Sequence, residues 1–186
     1  MLELPQLGTA DLSPLGSLAS LSRLKLGSSV PPDLSVLGGL SQLTHLDVTR
    51  VSEISILKEL PDLRAFTATS SSIQDLAPLA GHQGLTELRL RGNQVTDLSP
   101  LSEFVTLTNL DLSENPVSDV TPLEGLQFRE LWLSQTNVQD LAPIEHSFLS
   151  AATFYPPAEL DCSTQGPILE QIRAAGVSVV PVLLCE

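Results

Sequence analysis

The side chains that could perform nucleophilic chemistry are few and far apart in the chain. Nucleophilic catalysis needs a Cys or Ser beside a His that a third group orients. The three histidines, His45, His82 and His146, are at least 37 residues apart, and Cys162 lies beyond all of them. The sequence contains neither a Gly-rich phosphate loop nor an H-E-x-x-H helix. We therefore predict no enzymatic activity and no cofactor.

Carboxylates recur at near-regular intervals and could either bind metal ions or cap helical turns. The acids at this position are Asp11, Asp33, Glu53, Asp75, Asp97, Asp119 and Asp140. A ladder of calcium sites would need several oxygens per short turn, whereas here one acid occurs in about 22 residues. Capping the free N–H groups of a following short helical turn is the favoured role. We therefore predict no metal site.

The composition excludes several classes of protein. The chain has 186 residues, and its 22 acidic and 9 basic side chains give a net charge of −13, which is the wrong sign for binding nucleic acid. No apolar run is long enough to cross a membrane. Because no signal peptide is visible, we expect a cytoplasmic protein, or a secreted or surface protein if the chain is a fragment.

Most of the chain is an internal repeat of about 22 residues. The segment LTELRLRGNQVTDLSPLSEFVT, which begins at Leu85, matches LTNLDLSENPVSDVTPLEGLQ, which begins at Leu107, position by position. Phe128 opens a third copy, and weaker copies open upstream at Leu63, Leu43 and Leu21. One such unit cannot cover its own Leu side chains, so the units must stack around a shared core.

This pattern resembles the leucine-rich repeat family, in particular the 22-residue subtype of bacterial internalins. The resemblance implies a right-handed α/β solenoid with a parallel concave sheet, a mostly 3₁₀ or extended convex side and a C-terminal cap of one helix and one strand. Residues 1–155 would form seven to eight coils, the first incomplete, and 156–186 the capping segment of the same single domain. An Asn of this family normally hydrogen-bonds the inner turn backbone. We assign Asn93, Asn115 and Asn137 to that position, which Ser71, Ser29 and Leu7 occupy in earlier, less regular coils.

Alternation in LTELRL assigns the two faces of each predicted strand. Leu88 and Leu90 should point into the core, whereas Glu87, Arg89 and Arg91 should point outward. The outward residues of successive strands then form rows across the concave sheet, which is the default binding surface of this architecture. These rows carry four bases and five acids, so we expect a nearly neutral face.

The only Trp and the only Tyr of the chain fall on this face. The predicted register puts Trp132 in the central row, where Thr153 follows it, and Tyr155 in the adjacent row. Aromatic and Arg side chains dominate binding hot spots because they bury large, rigid surfaces. We therefore predict a partner-binding patch formed by Arg89, Arg91, Asp111, Trp132 and Tyr155. In the structural alternative, Trp132 packs under the cap, Tyr155 turns away and Arg89 only pairs with Asp111 across the strands.

The repeat is lost after Tyr155, where a cap is predicted. The last coil should keep a weak strand whose inward residues are Leu149, Ala152 and Phe154. A helix is predicted from Gln165 to Ala175, with Pro167 in its first turn and Gly176 just past its end. The face that this helix buries should carry Ile168, Ile172 and Ala175. A strand over 177–184 should follow it.

The two cysteines are too few for a disulfide framework and lack the spacing of a zinc site. We interpret Cys162 as a small buried residue and Cys185 as a mobile thiol near the terminus. A disulfide between them is the alternative.

No equivalent cap precedes the first predicted coil. Its leucines, Leu2, Leu4, Leu12, Leu15 and Leu18, have nothing stacked before them. An open sheet edge with an apolar end surface invites pairing with another chain. Three alternatives remain: a fragment of a longer protein, self-association through the uncapped N-terminal coil, or a coil that tolerates exposure.

Two classes of function fit these features. The leading hypothesis is a non-catalytic module that recognises a protein partner on its concave sheet, without nucleic acid or membrane as a ligand. The alternative is an inhibitor or immunity protein that blocks a toxin or enzyme. Its basic target would prefer an acidic surface, but the acids lie mainly on the turns and the convex side, which weakens this alternative.

Overall fold

The computed structural model describes residues 1–4, 12–27 and 34–180, and in these ranges nine parallel strands form one sheet in sequence order. The strands are β1 (Leu2–Leu4), β2 (Arg23–Leu26), β3 (His45–Thr49), β4 (Ala65–Thr69), β5 (Glu87–Arg89), β6 (Asn109–Asp111), β7 (Phe128–Trp132), β8 (Phe148–Tyr155) and β9 (Ser178–Val179). One helix, α1 (Cys162–Ala174), lies between β8 and β9. The convex side carries short 3₁₀ turns at Ser13–Ser17, Ser35–Gly39, Ser55–Glu59, Ala77–Leu79, Ser99–Leu101, Thr121–Leu123 and Ala142–Ile144. This arrangement confirms the predicted solenoid.

Each coil buries the same inward positions. Leu88 on β5 and Leu90 just after it, together with Leu98 and Leu101 on the return half, are almost completely inaccessible to solvent. Their outward neighbours Glu87, Arg89 and Arg91 are half-buried or exposed, as the alternation predicts. Burial of each such Leu contributes roughly 1.5–3 kcal/mol, and stacking repeats this contribution from coil to coil.

Buried amides support the turns that follow the strands. The side-chain oxygens of Asn93 and Asn115 accept hydrogen bonds from the backbone N–H groups of Ile73 and Val95 one coil earlier, both at 3.0 Å. The amide nitrogens donate to backbone carbonyls of the inner turn at 2.6–3.0 Å. Ser71 fills the same position in an earlier coil and makes fewer bonds. Two of the three predicted Asn roles are therefore confirmed.

The third assignment, Asn137, is wrong. Asn137 is exposed, and Thr136 lies at the equivalent point three residues after the last inward Leu of its strand. The Thr136 hydroxyl donates to the carbonyl of Leu133 at 2.7 Å. The sequence LWLSQTNV carries its Asn one residue later than LRLRGNQV does, and a short Thr replaces it in the turn. Ser29 and Leu7 lie outside the described residues.

Four of the recurring acids cap the 3₁₀ turns, as predicted, whereas Glu53 does not cap the turn at Ser55–Glu59. In four coils an Asp oxygen accepts a hydrogen bond from the backbone N–H two residues later at 2.8–2.9 Å: these are Asp75, Asp97, Asp119 and Asp140. That N–H would otherwise lack a partner at the start of the turn. Hydrogen bonds from the following Ser or Thr side chain, and then from its backbone N–H, lower the pKa of Asp97 and Asp119. Asp11 and Asp33 lie outside the described residues.

Helix α1 begins three residues before the predicted start at Gln165. Asp161 caps it by accepting hydrogen bonds from the backbone N–H of Ser163 at 2.9 Å and from its hydroxyl at 2.7 Å. The same bonds lower the pKa of Asp161. Pro167 therefore lies in the second turn, not the first. Gly176 follows the helix with φ of 86°, as expected for a residue just past the C-terminal end.

The face that the helix buries matches the prediction only in part. Ile172 is fully buried as predicted, Ile168 is half-buried and Ala175 is exposed. Leu169, which is fully buried, and Gln165, which is nearly so, complete this face. Gln165 joins the cap to the last coils because its side-chain oxygen accepts a hydrogen bond from the backbone N–H of Leu141 at 2.9 Å. β9 pairs with β8 and extends the sheet, and residues 181–184 of the predicted strand lie outside the described part of the chain.

Candidate functional site

The outward residues of the strands form straight rows across the concave sheet. One row contains Arg23, His45, Ala65, Glu87, Asn109, Glu130 and Thr153, and the central row contains Glu3, Lys25, Asp47, Thr67, Arg89, Asp111, Trp132 and Tyr155. From β1 to β7 this is the predicted register. On β8 the prediction is wrong by two residues, since it put Ala151 and Thr153 where Thr153 and Tyr155 lie.

An irregularity in β8 causes this shift. Phe128 pairs with Phe148, but Glu130 pairs with Thr153, so one residue of β7 faces four residues of β8 at this point. Ala151 takes up part of the extra length with φ of 59°, in the left-handed region. As a result, two residues that the sequence register separated lie directly opposite each other.

Trp132 and Tyr155 stack on each other. Their ring centroids are 5.3 Å apart and their planes differ by 10°. The guanidinium of Arg89 lies over the Trp132 ring, 6.0 Å from its centroid. Trp132 therefore does not pack under the cap, and Tyr155 does not turn away at the Pro-Pro bend.

The two arginines of the predicted patch are held by ion pairs. Arg89 Nε lies 2.8 Å from Glu87 Oε1 on the same strand, not beside Asp111 as the structural alternative supposed. Arg91 donates twice to Glu114 Oε1, at 2.6 Å and 3.0 Å, and this hydrogen bonding raises the pKa of Arg91. Both arginines thus project from the sheet in defined positions.

A cleft lies beside the aromatic pair. Its volume is about 340 Å³, and it is lined by Arg91, Asp111, Ser113, Glu114, Trp132, Ser134, Gln135 and Tyr155. Four of the five predicted patch residues line it, and the fifth, Arg89, contacts the Trp132 ring. Sequence reasoning missed Glu114 and Gln135, which follow their strands in turns with φ of 58° and lie beside the cleft.

A second concave cavity lies toward the N-terminal end. It has a volume of about 250 Å³ and is lined by residues of β1 to β5 and by Met1. Lys25 and Asp47 form an ion pair of 3.1 Å there. Burial, and then the charge of Arg23, lowers the pKa of His45. Among the described residues that line this cavity there is no Trp, Tyr or Phe, so it lacks the large apolar rings that are common in binding hot spots.

The candidate nucleophiles and bases are not brought together. His82 is buried, with both ring nitrogens 2.8–3.2 Å from the backbone carbonyls of neighbouring turns, and His146 is exposed. Cys162 is exposed, so its interpretation as a small buried residue is wrong. It is disulfide-bonded, which supports the alternative of a bridge. Cys185 lies outside the described residues. Across residues 1–4, 12–27 and 34–180, no group of three or more His, Cys, Asp or Glu side chains could hold a metal ion, and no helix is long and apolar enough to span a bilayer.

Comparisons with known proteins show which sequences and structures the chain resembles. A sequence profile of leucine-rich repeats (2 copies) matches residues 83–125. No curated protein sequence matches the chain.

Three solved structures share the fold. Internalin C2 of Listeria monocytogenes is 28% identical, with a TM-score of 0.69 over 77% of this chain and 66% of its own. The internalin InlF of the same organism is 23% identical, with a TM-score of 0.77 over 95% of this chain and 54% of its own. A leucine-rich repeat protein of Leptospira interrogans is 17% identical, with a TM-score of 0.68 over 89% and 44%.

This chain therefore spans between about half and two thirds of the length of the two internalins. Leucine-rich repeat proteins of this type are typically recognition modules without catalysis, and they usually bind protein partners. Residues 83–125 thus match the leucine-rich repeat model, and the described residues have the solenoid fold of the internalins.

Proposed function

We propose that the chain is a non-catalytic module that binds a protein partner on its concave sheet, through Arg89, Arg91, Asp111, Trp132 and Tyr155. The observation that carries this proposal is the column formed by Arg89, Trp132 and Tyr155 in the central row. Large, rigid aromatic and Arg side chains supply most of the binding energy of protein interfaces.

The column is organised before any partner arrives. Stacking fixes the rings of Trp132 and Tyr155, and the ion pairs with Glu87 and Glu114 fix the two arginines. Binding then costs less conformational entropy, since ordering a rotamer-rich side chain at an interface costs about 0.5–1.5 kcal/mol. A preorganised patch is what a recognition surface requires.

The sheet around the column is large enough for a stable interface. Nine strands at a spacing of ~4.8 Å give a concave surface roughly 38 Å long. The recurring Asp residues lie outside this surface and are engaged by the 3₁₀ turns, so much of the net charge of the chain does not act on a partner at the concave face.

Trp132→Ala is the direct test of this proposal. Wild-type protein immobilised on a resin should capture a partner from the source lysate, and the variant should bind that partner at least about 30-fold more weakly, as for a hot-spot residue. Its thermal midpoint should fall by only about 2–4 °C, the shift expected for a loss of about 1 kcal/mol, because the ring is only half-buried.

Val105→Ala is the matched control, because Val105 is an apolar side chain that is 74% exposed in a turn away from the sheet. This variant should keep full binding. Retention of the partner by Trp132→Ala, with or without a large loss of thermal stability, would refute the assignment of the concave patch.

A further inference from the structure

The charges around the aromatic column do not balance internally. Arg89 and Arg91, the two bases beside the column, are each already paired, with Glu87 and Glu114 respectively. Among the residues that the structure describes, neither Asp111 nor Glu130 forms an ion pair. The exposed Arg129 of β7 is a third base, so these four acids outnumber the bases of this half of the sheet by one.

Asp111 and Glu130 are held in place by neutral donors. The backbone N–H of Ser113 donates to Asp111 at 2.9 Å, and the amide of Asn109 donates to Glu130 at 2.7 Å. Both carboxylates are half-buried, so they are partly withdrawn from water. A partly desolvated carboxylate gains more from a cation than an exposed one does, because the local dielectric screens the pair less.

Asp111 also lines the cleft beside Trp132 and Tyr155. The volume of about 340 Å³ equals the liquid volume of about eleven water molecules, which leaves room for a long side chain. The base that lines the cleft, Arg91, donates both of its hydrogen bonds to Glu114 and is attracted to Asp111 only by charge, without a hydrogen bond to it. The Asp111 carboxylate can therefore still accept a hydrogen bond from a second cation.

We propose that this cleft receives a Lys or Arg side chain of the protein partner, whose cation pairs with Asp111 and is attracted more weakly by Glu130. The inference rests on the proposed function, because it specifies the chemistry of a partner at the same surface. It implies a partner that is basic at the point of contact, although the concave face as a whole is nearly neutral.

A display selection tests this without knowledge of the natural partner. Clones of a random-peptide phage library are selected on wild-type protein and depleted on Trp132→Ala, which leaves binders that need the aromatic column. These clones should be enriched in Lys and Arg. Their affinity should fall about tenfold on Asp111→Asn, as for the loss of a hydrogen bond to a charged group, and about twofold on Glu130→Gln.

Both substitutions keep an oxygen that can accept the existing hydrogen bond, so they remove charge with little change of structure. Glu53→Gln, at an exposed turn position, is the matched control for loss of one charge and should bind like the wild type. Trp132-dependent clones without basic enrichment, or with unchanged affinity for Asp111→Asn, would overturn this inference and leave the proposed function standing. Absence of any Trp132-dependent clone would count against the proposed function itself.

Discussion

The coils that carry β5 and β6 differ from the junction of β7 and β8 in how closely they follow the repeat. In the first pair the spacing is 22 residues, the strands pair without interruption, and Asn93 and Asn115 occupy equivalent buried positions. At the junction the register shifts within the strand and Asn137 is exposed. The aromatic pair there follows the charged Arg89 and Asp111 in the central row.

The comparison separates the repeated hydrogen bonds that maintain the solenoid from the aromatic pair of the proposed site. In the regular coils Arg89 and Arg91 pair with acids on the same or the next coil. The irregular junction instead aligns Trp132 with Tyr155 and leaves a cleft beside them. Irregularity in a repeat protein is thus the place to look for its candidate site.

The largest expected effect is a loss of stability in the regular coils. Asn115→Ala removes a buried amide that bonds one backbone N–H and three backbone carbonyls. Leaving those groups unsatisfied should lower the free energy of unfolding by about 3 kcal/mol. Asn137→Ala, which changes the same residue type at an exposed position one coil later, should change it by less than about 0.5 kcal/mol. Urea unfolding of both variants measures the difference. Equal losses would contradict the buried hydrogen-bonding role of Asn115.

An intermediate effect tests the junction. Stacked aromatic pairs contribute about 0.5–1.5 kcal/mol beyond their burial. A double-mutant cycle of Trp132→Ala and Tyr155→Ala should therefore give a coupling energy of about 1 kcal/mol in thermal or urea unfolding. The same cycle on Val105→Ala and Tyr155→Ala serves as the control, because Val105 is exposed in a turn outside the sheet. A coupling near zero for the aromatic pair would mean that the stack does not persist in solution.

The smallest effect concerns the Asp caps of the regular coils. The pKa values of Asp97 and Asp119 are lowered in the folded protein by hydrogen bonds, so their stabilising contribution is present above the unfolded pKa of about 3.9. It is lost as the pH falls through the lower, folded values. Urea midpoints measured from pH 7 to pH 2.5 should fall less steeply for the Asp97→Asn, Asp119→Asn double variant than for the wild type. An identical slope would show that the caps do not titrate with folding.

The repeat pattern predicted most of the fold because its two determinants are local in sequence. Alternation assigned Leu88 and Leu90 to the core, and the recurring Asp followed by Pro-Leu marked the capped 3₁₀ turns; both assignments are confirmed. Asn137 was misassigned because this copy of the repeat has an Asn one residue after the turn position that Asn93 and Asn115 occupy. The sequence alone does not show which of two adjacent residues fills that position. The start of α1 was missed because Asp161 resembles another turn acid, although it caps a full helix.

The sequence by itself therefore determined the solenoid, the inward Leu positions and the outward location of Trp132 and Tyr155. These features follow from periodicity and side-chain alternation. Only the tertiary structure decided that the two rings stack, that Arg89 pairs with Glu87 and not Asp111, and that Arg91 pairs with Glu114. Those choices depend on a register shift in β8 and on side-chain reach between coils about 22 residues apart. Such distances are set by packing of whole strands, which no local pattern encodes.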